Sequence, residues 1–176
     1  VKTYYCDGNP ADCVSVTRAI LKYPYDLVIS GCNNGINLGF DVIYSGTVAG
    51  AGDALINGKK GLAISCKVGD FDSLENIDSV FDFIDENKLF EKTDLINVNL
   101  IKNPKGIKLT HLGKSLYGAS YTLNEDGLYY PVMGDVNSSP ENTFETDWGA
   151  FLENYISVTP LTIDMTDYNA LKEYKK

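Results

Sequence analysis

Apolar residues recur along this chain with two alternating periods, and together they set out a series of strands and helices. Leu27, Val28 and Ile29 form a short apolar run, and Leu62-Ala63-Ile64-Ser65 forms another. Runs of that length between turn residues predict strands buried on both faces. Residues 11–21 place Cys13, Val14, Val16, Thr17, Ile20 and Leu21 on one helical stripe, which Pro24 ends. Residues 45–57 read as a second helix closed by Gly58, and residues 74–87 as a third, with Ile77, Val80, Phe81 and Ile84 at helical spacing. Residues 2–6 alternate like a short strand, and residues 95–100 and 106–112 like later ones. Two consecutive strand–helix–strand passes predict a parallel sheet with right-handed crossovers, a Rossmann-like half-sheet.

The pattern changes after Leu112. Tyr117, Tyr121, Tyr129 and Tyr130 surround Asn124-Glu125-Asp126-Gly127, where Asp-Gly between β-formers predicts a hairpin. Residues 136–146 read as a polar loop and residues 154–161 as the last strand, with Pro160 near its end or on an edge. Residues 167–176 read as a short amphipathic helix or tail. An exposed tyrosine-rich hairpin has the composition of a subunit interface, and an aromatic stripe packed on its own sheet has the same composition.

Candidate chemistry gathers where the Val28 strand hands over to a helix. Residues 30–39 hold Asn33, Asn34, Asn37 and three glycines, and Tyr44-Ser45-Gly46-Thr47 follow. Glycines let a backbone approach a ligand closely, and successive N–H groups form anion-binding nests. Ser45 and Thr47 fit the N-cap region, where a hydroxyl bonds either the free helix N–H groups or a phosphate oxygen. Asn offers an oxygen to a hard cation and N–H donors to an oxyanion. Each residue alone fits an ordinary turn and cap; the cluster predicts a phosphate-like site.

Composition narrows the setting. At 176 residues, with 44% apolar and 22% charged residues, the chain is long enough for one ordinary core. Its net charge of −9 opposes binding to nucleic-acid polymers or anionic membranes through bulk electrostatics. It does not oppose a mononucleotide held by a local nest. No stretch has the length of a membrane span, and the first residues lack a signal-peptide profile. Cys6, Cys13, Cys32 and Cys66 show no metal-ligand spacing and read as free thiols of a cytoplasmic protein. The single histidine, His111, reads as a structural residue at a strand end.

The stretch SGCNNGINLGFDVIYSGTVAGA, residues 30–51, resembles the signature of the SurE family of survival-protein nucleotidases. Gly8-Asn9-Pro10-Ala11-Asp12-Cys13-Val14, Leu95-Ile96-Asn97-Val98-Asn99 and Tyr155-Ile156-Ser157-Val158-Thr159-Pro160-Leu161 resemble three further family segments in the family's order. The resemblance implies an α/β fold: a three-layer, Rossmann-like, mostly parallel sheet with a C-terminal β-hairpin extension. It divides the chain into a core, residues 1–112, lacking the family's first strands, and a hairpin and C-terminal oligomerisation arm, residues 113–176.

It also implies hydrolysis of nucleoside 5′- and 3′-monophosphates with a divalent cation, magnesium or manganese. Carried over residue by residue, Asn33 is the metal ligand, and Asn37, Ser45, Gly46 and Thr47 bind phosphate. The family's paired aspartates do not occur here, so no catalytic residue is assigned, and weak turnover by this chain alone is expected. The rival reading is a non-catalytic phosphate-binding or oligomerisation protein. A homodimer or homotetramer is implied in either case.

Overall fold

The computed structural model describes residues 1–114, 120–132 and 143–174. Strands β1 (Leu27–Asn34), β2 (Lys60–Cys66), β3 (Leu95–Leu100), β4 (Ile107–Leu109) and β7 (Ile156–Leu161) form one sheet in the order β1-β2-β3-β7-β4. The pairs β1–β2, β2–β3 and β4–β7 are parallel, and β3–β7 is antiparallel. Strands β5 (Ser120–Leu123) and β6 (Tyr129–Val132) make a separate antiparallel hairpin. The expected α/β architecture with a hairpin extension is therefore present.

The sheet has two unlike faces, and strand alternation creates both. Leu62, Ile64 and Cys66 of β2, Ile96, Val98 and Leu100 of β3, and Ile156 and Val158 of β7 cover one face. Val80 and Ile84 of α3 (Ile77–Glu86) bury against them. On the other face Val48 and Ala51 of α2 (Gly46–Asp53) pack on Ala63 and Leu95. Beyond that patch the second face turns polar: Ser65, Asn97, Asn99, Ser157 and Thr159 are all fully buried. Helices thus lie on both sides of the sheet, and only one side is apolar throughout.

Helix α1 (Pro10–Val16) opens with a capping box, Asn9 and Asp12 each bonding the other's backbone N–H. It continues as a wider turn over Thr17–Leu21 and buries only Val14, while Ile20 stands exposed. Pro10 packs on α2, where it faces Gly46 and Gly50. Residues 45–57 divide into α2 and a tighter turn, Leu55–Asn57. Residues 74–87 divide likewise, with a 3₁₀ segment, Phe71–Asn76, ahead of α3.

Several expectations are corrected. Residues 2–6 form no strand, and Tyr5 is exposed; alternation makes a strand only where a neighbouring edge takes up the backbone hydrogen bonds. Strand β1 runs on past Ser30 to Asn34, with a register irregularity between Ser30 and Asn33. Of the two expectations for Pro160, a place near the strand end holds, since β7 stops at Leu161. The edge position does not, since β7 is interior; Pro160 is tolerated because β4 pairs only as far as Val158. The segment after Thr146 forms helix α4 (Asp147–Leu152), and α5 (Tyr168–Tyr174) is exposed along its length. Tyr121, Tyr129 and Tyr130 are exposed on the hairpin rather than packed on the sheet. Tyr117 and most of the 136–146 loop lie outside the described residues.

Gly61 carries the contact between β2 and α2. A methyl group there would lie 2.2 Å from the Ala51 carbonyl oxygen, which belongs to backbone. Gly61→Ala is expected to lower stability by about 1–3 kcal/mol, read as a lower urea midpoint. An unchanged midpoint would show that α2 is free to move off the sheet.

Candidate functional site

A cleft of about 460 Å³ opens at the C-terminal end of β1, walled by Pro10, Asn33, Asn37, the Ser45–Thr47 turn and Trp148. That is the end of a parallel sheet at which open α/β folds place ligands. The structure brings together all five residues that the family resemblance picks out: Asn33, Asn37, Ser45, Gly46 and Thr47 line this one cleft.

Asn37 is the most constrained of them. Its N–H donates to Asn99 Oδ1 at 2.7 Å, and its carbonyl accepts from Asn97 Nδ2 at 2.8 Å and Asn99 Nδ2 at 2.9 Å. Its own Nδ2 donates to Ser65 Oγ at 2.6 Å. Two amides of β3 and a hydroxyl of β2 therefore clamp the peptide and side chain of one loop residue. All four side chains are buried, where an unmet partner is costly. Asn97 and Asn99 were visible in sequence as polar residues of an otherwise apolar strand; their spacing of two puts them on one face, aimed at this loop.

Ser45 is the N-cap of α2, its Oγ accepting from Val48 N–H at 3.1 Å and its carbonyl from Ala49 N–H at 3.0 Å. That bond uses one lone pair of the hydroxyl and leaves its O–H available as a donor. The first two helical N–H groups, on Gly46 and Thr47, remain without an intrahelical acceptor and carry the positive end of the helix dipole. Thr47 is buried in the cleft wall and Gly46 is exposed. Such a turn suits an anion, since its donors are fixed before the ligand arrives.

Asn33 and Asn34 part company. Asn34 Oδ1 accepts from Gly69 N–H at 2.7 Å, outside the cleft. Asn33 Nδ2 donates to the Gly35 carbonyl at 2.7 Å, which leaves its Oδ1 as the end with acceptor capacity at the cleft. Behind it the Cys66 and Cys32 thiols both approach the Asn33 carbonyl, at 3.5 and 3.8 Å. Burial, with Cys66 alongside, pushes the Cys32 thiol up to about 12.

Charge decides what the cleft needs. Among the described residues, its lining contains one carboxylate, Asp41, and no Lys or Arg. A phosphate dianion beside Asp41 calls for added positive charge. Yet no three His, Cys, Asp or Glu side chains among the described residues gather to hold a metal. Asn33 supplies one neutral oxygen, and a divalent cation needs more oxygen ligands than that. The described donor set does not by itself fit a divalent cation. His111 lies outside the cleft lining, exposed, with Nδ1 3.1 Å from the Leu112 carbonyl.

Asp147 fastens the far wall. Its fully buried carboxylate accepts from Gly39 N–H, Gly113 N–H and Trp148 N–H, each at 2.8 Å. Gly39 has φ +60°, and a Cβ there would meet the Lys114 carbonyl at 2.5 Å, so the loop closes only around glycine. Burial pushes the Asp147 carboxyl above the usual range, against the three N–H donors and the nearby His111, which pull it down.

Asn99→Ala would leave the Asn37 N–H buried and unmatched. A loss of about 1–3 kcal/mol is expected, with weaker phosphate binding by calorimetry; Asn34→Ala should leave phosphate binding unchanged. For Asp147 the raised folded value means that the folded chain keeps a proton which the unfolded chain releases above 3.8. That stability is full below the unfolded value and is lost as pH rises through the folded one. The stability advantage of the wild type over Asp147→Asn should therefore narrow from pH 4 to pH 7. A widening gap in urea midpoints would mean that the N–H donors outweigh burial.

Known proteins of similar sequence and fold share one family. The family model "Survival protein SurE" matches residues 1–119. A 5′-nucleotidase SurE of Desulforudis audaxviator is 40% identical, aligning 97% of this chain with 70% of the relative. One of Pelotomaculum thermopropionicum is 39% identical, aligning 97% of this chain with 68% of the relative. The crystal structure of the SurE protein from Aquifex aeolicus superposes with a TM-score of 0.74 at 36% identity, covering 96% of this chain and 73% of that one. The family model covers more than half of the chain and the relatives align with nearly all of it, and the chain belongs to the SurE family.

Proposed function

We propose that this protein acts on phosphomonoesters, with nucleoside monophosphates, 5′ and 3′, as substrates. The observation that carries this reading is the convergence of Asn37 and the Ser45–Thr47 turn on one cleft with no basic side chain among its described lining. The Gly46 and Thr47 N–H groups hold the phosphate oxygens, as preorganised donors do where charge develops during phosphoryl transfer. Asn37 sets the opposite side, its backbone fixed by Asn97 and Asn99 so that no reorganisation is needed on binding. The relatives' name, 5′-nucleotidase SurE, supports the substrate class.

Hydrolysis in this reading depends on a divalent cation, magnesium or manganese, with Asn33 as one neutral ligand. The cation would add the positive charge that no Lys or Arg supplies among the described lining residues. The exposed tyrosines of the 120–132 hairpin and the exposed α5 support assembly of residues 113–176 into a homodimer or homotetramer. Among the described residues no helix is long and apolar enough to cross a membrane. A cytoplasmic location and the exclusion of nucleic-acid polymers rest on the charge of −9 and the free thiols.

The test is hydrolysis of p-nitrophenyl phosphate and AMP by residues 1–176 with and without manganese, alongside calorimetric titration of phosphate. Phosphate is expected to bind, with weak manganese-dependent turnover lost in Asn33→Ala. Binding without any turnover favours the non-catalytic phosphate-binding reading, and no phosphate binding would overturn both of these and leave the oligomerisation reading.

A further inference from the structure

Residues 42–48 separate two spaces. On one side lies the cleft; on the other is a second cavity of about 460 Å³, and Ser45 lines both. The buried Val48 and Leu95, from the core patch beneath α2, line the cavity from within. The chain leaving β7 bounds it from outside. Ile163 packs there on α2 at Gly52, where an added Cβ would lie 3.3 Å from Ile163 Cγ2. Its rim is apolar and exposed at Ile43, Ile56 and Met165. The volume is that of a small-molecule site, typically about 300–1,000 Å³.

A single charge sets what such a cavity takes. Among the described lining residues Asp53, the last residue of α2, is the only ionisable one. It forms no ion pair among the described residues, and its Oδ2 has no hydrogen-bond donor there. A helix end of this kind carries partial negative charge, and the last turn of α2 holds no basic residue. A carboxylate at the negative end of a helix is unfavourable until a cation joins it. The net charge of −9 favours the approach of one. An anion is repelled, and a purely apolar molecule leaves the carboxylate unmatched. We propose that this cavity is a second ligand site, for a small organic ammonium ion with an apolar body. The body lies against Val48, Leu95 and Leu112, and the ammonium group pairs with Asp53. Helix α2 then carries an anion site at its start and a cation site at its end. The second site goes beyond the phosphomonoesterase reading and does not depend on it.

Met165 reports on the cavity directly. The chain has two methionines, so methyl labelling gives two carbon–proton NMR signals, and Met133→Leu assigns that of Met165. The signal is followed as 2-phenylethylamine or 2-phenylethanol, which differ in the ammonium group, is added to the full 176-residue chain. It should shift saturably with the amine, at least about fivefold more tightly than with the alcohol, the gain from a hydrogen bond to a charged group. No shift with the amine, or equal affinity for the two, overturns the proposal. Asp53→Asn should bring the amine down to the affinity of the alcohol; an undiminished preference for the amine would place the cation elsewhere and overturn it. Ala49→Leu, which fills the cavity from an exposed position on α2, should abolish the shift, and unchanged binding there also counts against the site. The comparison of amine with alcohol on the wild type decides the matter even if a variant fails to fold.

Discussion

One clamp holds the site together: the Asn37 peptide group between the side-chain amides of Asn97 and Asn99. A carboxamide carries a donor and an acceptor, and so does a peptide group. Asn99 therefore matches both ends of Asn37 at once, with Oδ1 taking the N–H and Nδ2 giving to the carbonyl. A loop rich in glycine has large conformational entropy to lose. Buried bonds of this kind, unavailable to water, define its one ordered form. The cleft, the helix entry and the Trp148 wall all take their positions from that loop.

The clamp is possible because the sheet is asymmetric. Alternate residues of β3 serve two different purposes: Ile96, Val98 and Leu100 feed the apolar core, while Asn97 and Asn99 face the loop. The same division runs through β2, with Ile64 and Cys66 on the core side and Ser65 on the loop side, and through β7 with Ser157 and Thr159. Oily packing on one face stabilises the sheet, and the opposite face has its polar groups largely matched. The sheet carries the site rather than merely supporting it.

How much of this could be read from the sequence depends on what each residue does. Strand β3 was legible from end to end, because strand period and burial agree there. Strand β1 was legible only through Ser30; its last four residues are glycine, cysteine and two asparagines, and they stay extended because Ser65 and Cys66 pair with Asn33 and Asn34. The five residues singled out by the family signature line one cleft, and their clustering was legible from chemistry as well. Asn97 and Asn99 stood out as amides in an apolar strand, but their clamping of a loop did not, since a buried amide has the same letter as a solvated one; Asp147 gave no signal at all. Residues 2–6 alternate as a strand does and yet form none, which is pattern without a pairing partner.

Asp147 has a consequence for the order in which the molecule takes shape. Its carboxylate reaches back 108 positions to the Gly39 N–H, and β7 inserts between two strands made long before it. During synthesis the emerging polypeptide therefore passes through a stage in which the early strands exist and the ligand loop is still unfastened. Competence arrives late and all at once, when the last third of the chain threads home and locks the first.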